Sequence, residues 1–491
     1  MKSILVSLLG AGLLTAADKA TTWNPEKFQP TSESFRQYQC PEWFRDAKFG
    51  IWCHWGPDSV PGFNNYARDL WKQGSPEYKW HLEHIGHPSK AGYEAVIESW
   101  KAEKFDPDSL MERFKAAGAK YFFALATHHD NFDNWDSTNH SWNSVNHGPH
   151  KDIVGMWRDA AQKAGMRFGV SSHADLRGWC YMYGAQTADT NGPLAGVPYV
   201  GRNPELAELY NAPKSKYEAP PEAWQQKWLR RHKELVDKYH PDFLYFDSGI
   251  PHGKYGMELI AHYLNENASR HGGNVDGVVN VKAGSFVPDH ERSIPLTLQE
   301  QPFQAESSLS GWFYMVHQSK NDPASNCKDT PWVIHTLADV VSKNGCFLLN
   351  MPQRGDGSLY PECEQVLDEL AKWMPINGEA IFNTRPWTTF GEGPTTLKTK
   401  GMNELQHPLT ERDIRFTRSR DGKTVYAIVC GVPSAPIMIT SLASVADKIG
   451  GIRLLGSDES IRWKATPGGV EIQPVTHWPC PYAVVLKITM K

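Results

Sequence analysis

Pro241-Asp242-Phe243-Leu244-Tyr245-Phe246-Asp247-Ser248-Gly249 is an apolar run that ends abruptly in a carboxylate, followed by two small residues that let the backbone turn. Such a run suits a strand buried in a parallel sheet, whose C-terminal tip faces the ligand crevice. A carboxylate fixed there sits rigidly at a pocket edge, which suits a nucleophile or general base. A strand-end Asp can equally cap the following helix. What separates the two readings is the rest of the chain, where several other strand-like runs also end in polar side chains able to do chemistry.

Upstream, Lys48-Phe49-Gly50-Ile51-Trp52-Cys53 runs into His54-Trp55-Gly56, and Tyr121-Phe122-Phe123-Ala124-Leu125-Ala126 runs into Thr127-His128-His129-Asp130. Arg167-Phe168-Gly169-Val170-Ser171-Ser172 ends at His173. Downstream, Gly277-Val278-Val279-Asn280 and Phe347-Leu348-Leu349-Asn350 repeat the pattern. Helical spacings fall between these runs. Leu110, Met111, Phe114 and Ala117 precede Gly118. Ile153, Val154, Trp157, Ala161 and Ala164 lie between a capping Asp152 and a terminating Gly165. Further helices are expected over residues 221–239 and around Val333, Leu337, Val340 and Val341.

Strand and helix alternate over residues 44–351, the signature of a parallel α/β domain. Functional groups at the ends of many different strands favour a closed TIM-type barrel; an open doubly wound sheet gathers its sites at one switch point. No Gly-rich phosphate loop follows the first strand. After residue 380 the pattern changes to short strands separated by Gly, Pro and Ser, among them Val425-Tyr426-Ala427-Ile428-Val429, Ile437-Met438-Ile439, Ile452-Arg453-Leu454-Leu455, Val470-Glu471-Ile472 and Ala483-Val484-Val485-Leu486-Lys487-Ile488. This predicts a C-terminal all-β sandwich. The expected organisation is a signal peptide over residues 1–17, a TIM-type (β/α) barrel catalytic domain over 18–380 and a β-sandwich over 381–491. Residues 186–221, rich in Pro, Gly, Asn and Tyr, are too long for a plain connection and read as a functional wall or lid.

A chain of 491 residues with 40% hydrophobic and 22% charged side chains is a folded protein of two or three domains. A net charge of −4 points to neither nucleic acid nor an anionic membrane as partner. The 19 tryptophans, many beside His, Asp or Arg, fit large cores and also sugar-stacking surfaces. Lys2 precedes an apolar stretch from Ile4 to Leu14 and then Thr15-Ala16-Ala17, the form of a secretory signal. The stretch is too short to span a bilayer, and no cysteine follows it to carry a lipid anchor. A secreted or periplasmic location is therefore expected, without a membrane anchor. Eight cysteines without CxxC spacing argue against a zinc ribbon or thioredoxin-like site, and their pairing cannot be read from spacing.

His54, His128, His129 and His173 all fall at strand ends, and four at one rim point to a shared pocket. Neutral imidazoles bond sugar hydroxyls or bind metal. A metal reading would want carboxylates interleaved, with Asp130 and Asp133 available, but the first strand lacks the HxH pair of amidohydrolase-type barrels. A sugar hydrolase instead needs a second carboxyl group across from Asp247. Asp289, Glu291, Glu300 and Glu306 follow the Gly277–Asn280 run in an expected loop, and Glu291 is the choice from position.

These residues resemble the α-L-fucosidases of glycoside hydrolase family 29. Lys48-Phe49-Gly50-Ile51-Trp52-Cys53-His54-Trp55-Gly56-Pro57 with Ser59-Val60-Pro61 is similar to that family's opening strand, and Tyr66-Ala67-Arg68 continues the match. His128-His129-Asp130 with Trp135-Asp136-Ser137 resembles its paired-histidine motif. Asn143-Ser144-Val145 and Lys151-Asp152-Ile153-Val154-Gly155 follow in the family's order, Tyr245-Phe246-Asp247-Ser248-Gly249 resembles its nucleophile strand, and Asp339-Val340-Val341-Ser342-Lys343-Asn344-Gly345 its closing helix. The resemblance implies a retaining exo-α-L-fucosidase acting on fucosylated oligosaccharides or glycoconjugates, with Asp247 as nucleophile and Glu291 as acid/base. It places His54, His128 and His129 on the fucose hydroxyls and Trp312 against the sugar's apolar side. Trp55, Tyr66, His173 and Lys282 complete the expected sugar contacts. No metal or organic cofactor is implied.

Three departures from the family pattern bear on the pocket. Asn64 and Asn65 stand where an acidic residue and Trp are usual, and Val281-Lys282 where many members carry an arginine. The acid/base varies in position, which leaves Asp289 and Glu306 as alternatives to Glu291. A related glycosidase acting on a galactose-configured or sulfated fucose substrate, or a non-catalytic carbohydrate-binding relative, are the rival readings.

Overall fold

Side chains alternate along each strand, and here the two faces feed two different cores. The computed structural model describes residues 27–282, 286–316, 327–397 and 402–491, so the expected signal peptide lies outside the described residues. Eight parallel strands close into a barrel: β1 (Phe49–Cys53), β2 (Tyr121–Thr127), β3 (Arg167–Ser172), β4 (Phe243–Phe246), β5 (Val278–Val281), β6 (Val287–Glu291), β7 (Phe303–Ser308) and β8 (Gly345–Asn350). β8 returns to pair with β1. This is the TIM-type barrel expected.

Inward positions Trp52, Phe123, Phe243, Tyr245 and Leu348 pack together inside the barrel. Phe44, on the short Glu42–Ala47 helix, plugs its N-terminal end, its ring centroid 5.3 Å from that of Phe243. Outward positions such as Ile51, Phe122, Leu244 and Phe246 join the larger core beneath the surrounding helices. Gly169 in β3 makes room for this interior: a Cβ there would come within 2.8 Å of both Phe123 and Phe243.

The helices begin where capping residues stand. Asp152 accepts from the Gly155 amide to start Ile153–Ala164, and Gly165, at φ 70°, ends it in the left-handed conformation. Asp106 and Asp329 start Pro107–Ala116 and Thr330–Ser342 in the same way.

β6 and β7 correct the sequence reading. Asp289, Glu291 and Glu306 were expected in a loop, yet all three lie on strands. Neither strand shows an apolar run, because their inward positions build a polar layer inside the barrel. Tyr121 donates to Gln304 at 3.2 Å, Gln304 donates to Asp289 at 3.3 Å and Tyr245 donates to Glu306 at 3.1 Å.

The C-terminal region forms two antiparallel sheets, one of five strands and one of three. Phe416, Val425 and Leu486 of the larger sheet share a core with Ile439, Val470 and Ile472 of the smaller, which makes the sandwich expected. Thr384–Glu392, Ile414–Ser419 and Trp463–Thr466 are strands absent from the sequence reading. Arg415 fixes the sandwich to the barrel through buried Asp339 at 2.5 Å, and Trp373 donates to the Ala483 carbonyl at 3.0 Å. All eight cysteines are free. Among the described residues, no helix is long and apolar enough to cross a membrane.

Candidate active site

Counting two residues onward from each inward strand position reaches the barrel's C-terminal rim. Trp52 leads to His54, Ser171 to His173, Tyr245 to Asp247, Asn280 to Lys282, Asp289 to Glu291 and Leu348 to Asn350. β2 departs from the rule through a register shift against β3 between Leu125 and Thr127, and both His128 and His129 reach the rim cavity. That cavity, of about 250 Å3, is walled by the four histidines, Asp247, Glu291, Glu306 and Trp312, with Asn64, Asn65, Arg177 and Phe313 completing it.

Asp247 is the electrostatic centre. Arg177 Nη2 lies 2.6 Å from its Oδ2, His173 Nδ1 3.3 Å and His129 Nε2 3.5 Å from the same oxygen. Lys282 Nζ donates to its Oδ1. Burial alone would raise this carboxyl; the charge of His173 and its hydrogen bond, with Lys282 and His129, hold it well below the usual carboxylate range. It is an anion at any working pH.

Lys282 Nζ also lies 2.5 Å from Glu291 Oε2 and 3.9 Å from Glu306 Oε1. Burial would lower this amine, but Glu306, Asp247 and Glu291 raise it above its ordinary value. One ammonium touching both Asp247 and Glu291 holds their facing oxygens no more than about 5 Å apart. Below them, the buried Asp289 and Glu306 crowd one another. Burial pushes Asp289 up to about 7, with Glu291 adding to the rise, and burial with Asp289's charge pushes Glu306 well up. In such a pair the charge of one carboxyl favours the protonated form of the other.

The histidines form the opposite wall. Burial keeps His54, His128 and His129 well below the ordinary imidazole value, helped by one another, by His173 and, for His129, by Arg177. His129 Nδ1 sits 2.6 Å from the His173 carbonyl, which fixes its ring and aims Nε2 at Asp247. His54 Nδ1, His128 Nδ1 and His173 Nε2 are buried without a hydrogen-bond partner in the protein. Buried polar atoms need partners, so these three nitrogens mark where ligand hydroxyls belong.

Trp312 stands over the histidines, its ring centroid 5.0 Å from that of His54. Asn64 holds it there, its Oδ1 accepting from the amides of Trp312 at 2.9 Å and Phe313 at 3.2 Å. The family departure at Asn64 is thus an anchor for the aromatic wall, and its neighbour Asn65 accepts from Tyr181 at 3.0 Å. Asn350 donates to the Trp312 carbonyl and accepts from the His54 amide, both at 2.8 Å.

Three expected sugar contacts, Tyr66, Trp55 and Lys282, are not among the residues that wall the cavity, and Lys282 is instead bonded to Asp247 and Glu291. Tyr66 is wholly buried and bonds His81 Nδ1 at 2.6 Å. Trp55 donates to the Arg354 carbonyl at 2.7 Å and packs edge-on against Trp100. Trp55 is one residue past His54 and so faces the opposite way, while Tyr66 stands on the short Tyr66–Asp69 helix. Asp130 and Asp133 are buried behind the histidines, bonded by Tyr93 and by Arg231. Arg177 and Phe313 were missed. Arg177 lies four residues past the strand end at His173, a position at which any rim loop can contribute.

Two groups could offer three ligand atoms each to a metal ion, His54 with His128 and His173, and His129 with His173 and Asp247. The second would set the ion against Lys282 and Arg177, which already neutralise Asp247.

Sequence profiles described as alpha-L-fucosidase and alpha-L-fucosidase C-terminal domain match residues 15–379 and 406–489. The chain belongs to the α-L-fucosidase family. These are glycoside hydrolases, and the likeness runs the length of the fold. Tissue alpha-L-fucosidase of Bos taurus is 27% identical over 503 residues, covering 99% of this chain and 96% of that protein. The Homo sapiens tissue alpha-L-fucosidase is 26% identical over 508 residues, covering 99% and 97%. A crystal structure of Thermotoga maritima alpha-fucosidase in complex with fucose superposes with a TM-score of 0.73 at 26% identity, covering 94% of this chain and all of that one. Within the α-L-fucosidase frame, the residues that carried the sequence resemblance at His54, His128, His129 and Asp247 are the ones that meet in one cavity.

Proposed function

We propose that this protein is a retaining exo-α-L-fucosidase in which Asp247 is the nucleophile and Glu291 the acid/base. The observation that carries the reading is the single Lys282 ammonium bridging the two carboxylates. A separation of about 5 Å suits direct attack; an inverting enzyme needs roughly 6.5–9.5 Å to admit a water. At about 250 Å3 the cavity suits one sugar ring, which accords with removal of a terminal residue.

In the first step an Asp247 oxygen forms a bond to the anomeric carbon as the bond to the aglycone oxygen breaks. Glu291 gives its proton to that leaving oxygen. In the second, a water gives a proton to Glu291 and attacks the same carbon, releasing Asp247 and fucose of unchanged configuration. Neutral His54 and His128 each present a donor and an acceptor to the sugar hydroxyls, His129, whose N–H is spent on the His173 carbonyl, presents an acceptor, and Trp312 covers the sugar's apolar side.

A second acid/base reading is favoured by one observation. Glu306 lines the same cavity, and burial with the charge of Asp289 pushes its carboxyl towards the protonated form that a general acid needs. Removing the true acid/base lowers hydrolysis of a poor-leaving-group fucoside by about 10²–10⁴-fold, and azide restores turnover of an activated aryl fucoside. Rescue of Glu291→Ala and not of Glu306→Ala supports the first reading; the reverse assigns the role to Glu306. The nucleophile is tested by a 2-fluoro fucosyl reagent: mass spectrometry should find the adduct on Asp247, and an adduct elsewhere defeats the proposal. Export completes the reading, with residues 1–17 removed, as N-terminal sequencing of the mature protein would reveal.

A further inference from the structure

Beside the catalytic cavity lies a larger one of about 700 Å3, and Arg177 walls both. Its other cations are Arg68, Lys72 and Lys216, and among the described residues no carboxylate lines it. The compensating acids sit behind. Asp69, which pairs with Arg68 and Lys72, and Asp175, which pairs with Arg177, have side chains only 14% and 15% exposed. The cationic side chains are 45%, 62% and 46% exposed. A ligand entering therefore meets the positive ends first.

The same cavity carries aromatic faces. Tyr181 stands between the two cavities, its ring 5.0 Å from that of His129, with the Arg68 guanidinium 5.8 Å from its centre. Tyr217 is 76% exposed, with Lys216 over its ring at 5.0 Å. A ring this open, beside the cavity's cations, is free to stack on a sugar face. Lys216 and Tyr217 come from the 186–221 segment, whose length the catalytic cavity does not explain.

We propose that this second cavity binds an anionic saccharide, a sulfate ester or a carboxylate on the glycan that carries the scissile sugar. The inference rests on the fucosidase reading for the sugar next door, and it names a substrate class for it. Arg68 and Arg177, whose Nε and Nη2 are spent on Asp69, Asp175 and Asp247, bring guanidinium charge to the anion, Lys72 and Lys216 add point charge, and Tyr217 stacks on the ring.

The test compares fucosylated oligosaccharides bearing a sulfate ester, a uronic acid or neither, with an aryl fucoside as reference. The natural protein should turn over at least one anionic substrate about tenfold more efficiently in kcat/KM than the neutral one. That advantage should shrink as sodium chloride rises from about 0.05 to 0.5 M. In Lys72→Gln/Lys216→Gln the advantage should fall to about twofold or less, with aryl fucoside hydrolysis unchanged. Preference for sulfate alone or carboxylate alone identifies the source of the charge; equal rates on all three, or a preference that survives the double substitution, overturns the proposal. If the aryl fucoside is not cleaved, the catalytic reading fails. Calorimetric binding of the same saccharides to Asp247→Ala and to Asp247→Ala/Lys72→Gln/Lys216→Gln then still decides this one.

Discussion

The two sides of the barrel rim solve different problems. β1 to β3 contribute His54, His128 and His129, kept neutral by burial, and with His173 this side carries three ring nitrogens left unpartnered by the protein. β4 to β7 contribute Asp247, Lys282, Glu291 and Glu306, of which the first three touch a charge of opposite sign. One side keeps hydrogen-bonding capacity open for a ligand. The other side spends its capacity internally and keeps its charges compensated. Recognition and chemistry are thereby separated across a few ångströms, and substitutions on the two sides should fail differently.

The largest effect belongs to Asp247. Asp247→Ala should lower kcat by about 10⁴-fold or more, as loss of a nucleophile does elsewhere. Fucose binding should survive it, because His54 and His128, unlike His129 and His173, are not bonded to Asp247; calorimetry with L-fucose checks this. His54→Ala or His128→Ala should act the other way. Each leaves a substrate hydroxyl unpaired at about 1–3 kcal/mol, or roughly tenfold to a hundredfold in kcat/KM, with a share of the loss in KM. Equal kcat losses on the two sides would break the contrast.

How far this was legible in the sequence differs between the same two sides. β1, β2 and β4 are apolar on both faces and β3 on its outward face, so Trp52, Phe123, Phe168 and Tyr245 announced their strands, and His54, His173 and Asp247 stood out where the runs ended. β6 and β7 are hidden because Asp289, Gln304 and Glu306 occupy inward positions that apolar residues usually fill. A period-two pattern of hydrophobicity cannot reveal a strand whose core face is polar. Glu291 was chosen by its position after β5 and by the family resemblance, without its strand. Tyr66 and Trp55 were over-read for the opposite reason: their neighbours matched a motif, but whether a side chain faces the cavity is decided by tertiary packing. Arg177 and the Asn64 anchor depend on loop geometry, which leaves no period at all.

The buried polar layer allows a subtler test of the charged side. Asp289 titrates near 7 in the folded chain and near 3.9 when unfolded. Its folded value is raised, so the contribution of the protonated form to stability is fully present below the unfolded value and is lost as pH climbs towards 7. Asp289→Asn removes that loss. Relative to the natural protein, the variant should therefore gain about 2–4 °C in Tm at pH 8 compared with pH 4.5, measured by calorimetry. The histidine wall slopes oppositely: its folded values are depressed, so stability falls as pH drops below about 6.5. A variant Tm difference that does not change between the two pH values would mean that Asp289 is not raised in the folded chain.

The smallest expected effect is none. The His129, His173 and Asp247 group has the donors for a metal ion, yet a cation seated there would face Lys282 and Arg177 at contact distance. At an effective dielectric of 20, one like charge at about 4 Å costs roughly 4 kcal/mol, enough to offset a thousandfold of affinity. The His54, His128 and His173 group escapes that repulsion but holds no carboxylate to pair with an ion. Dialysis against EDTA should thus leave kcat/KM within about twofold, and millimolar zinc, if it acts, should raise KM through the second group before it changes kcat. Loss of activity on chelation with recovery on adding one metal would place an ion on the histidine side, and the division between an open recognition wall and a compensated chemical one would have to be redrawn.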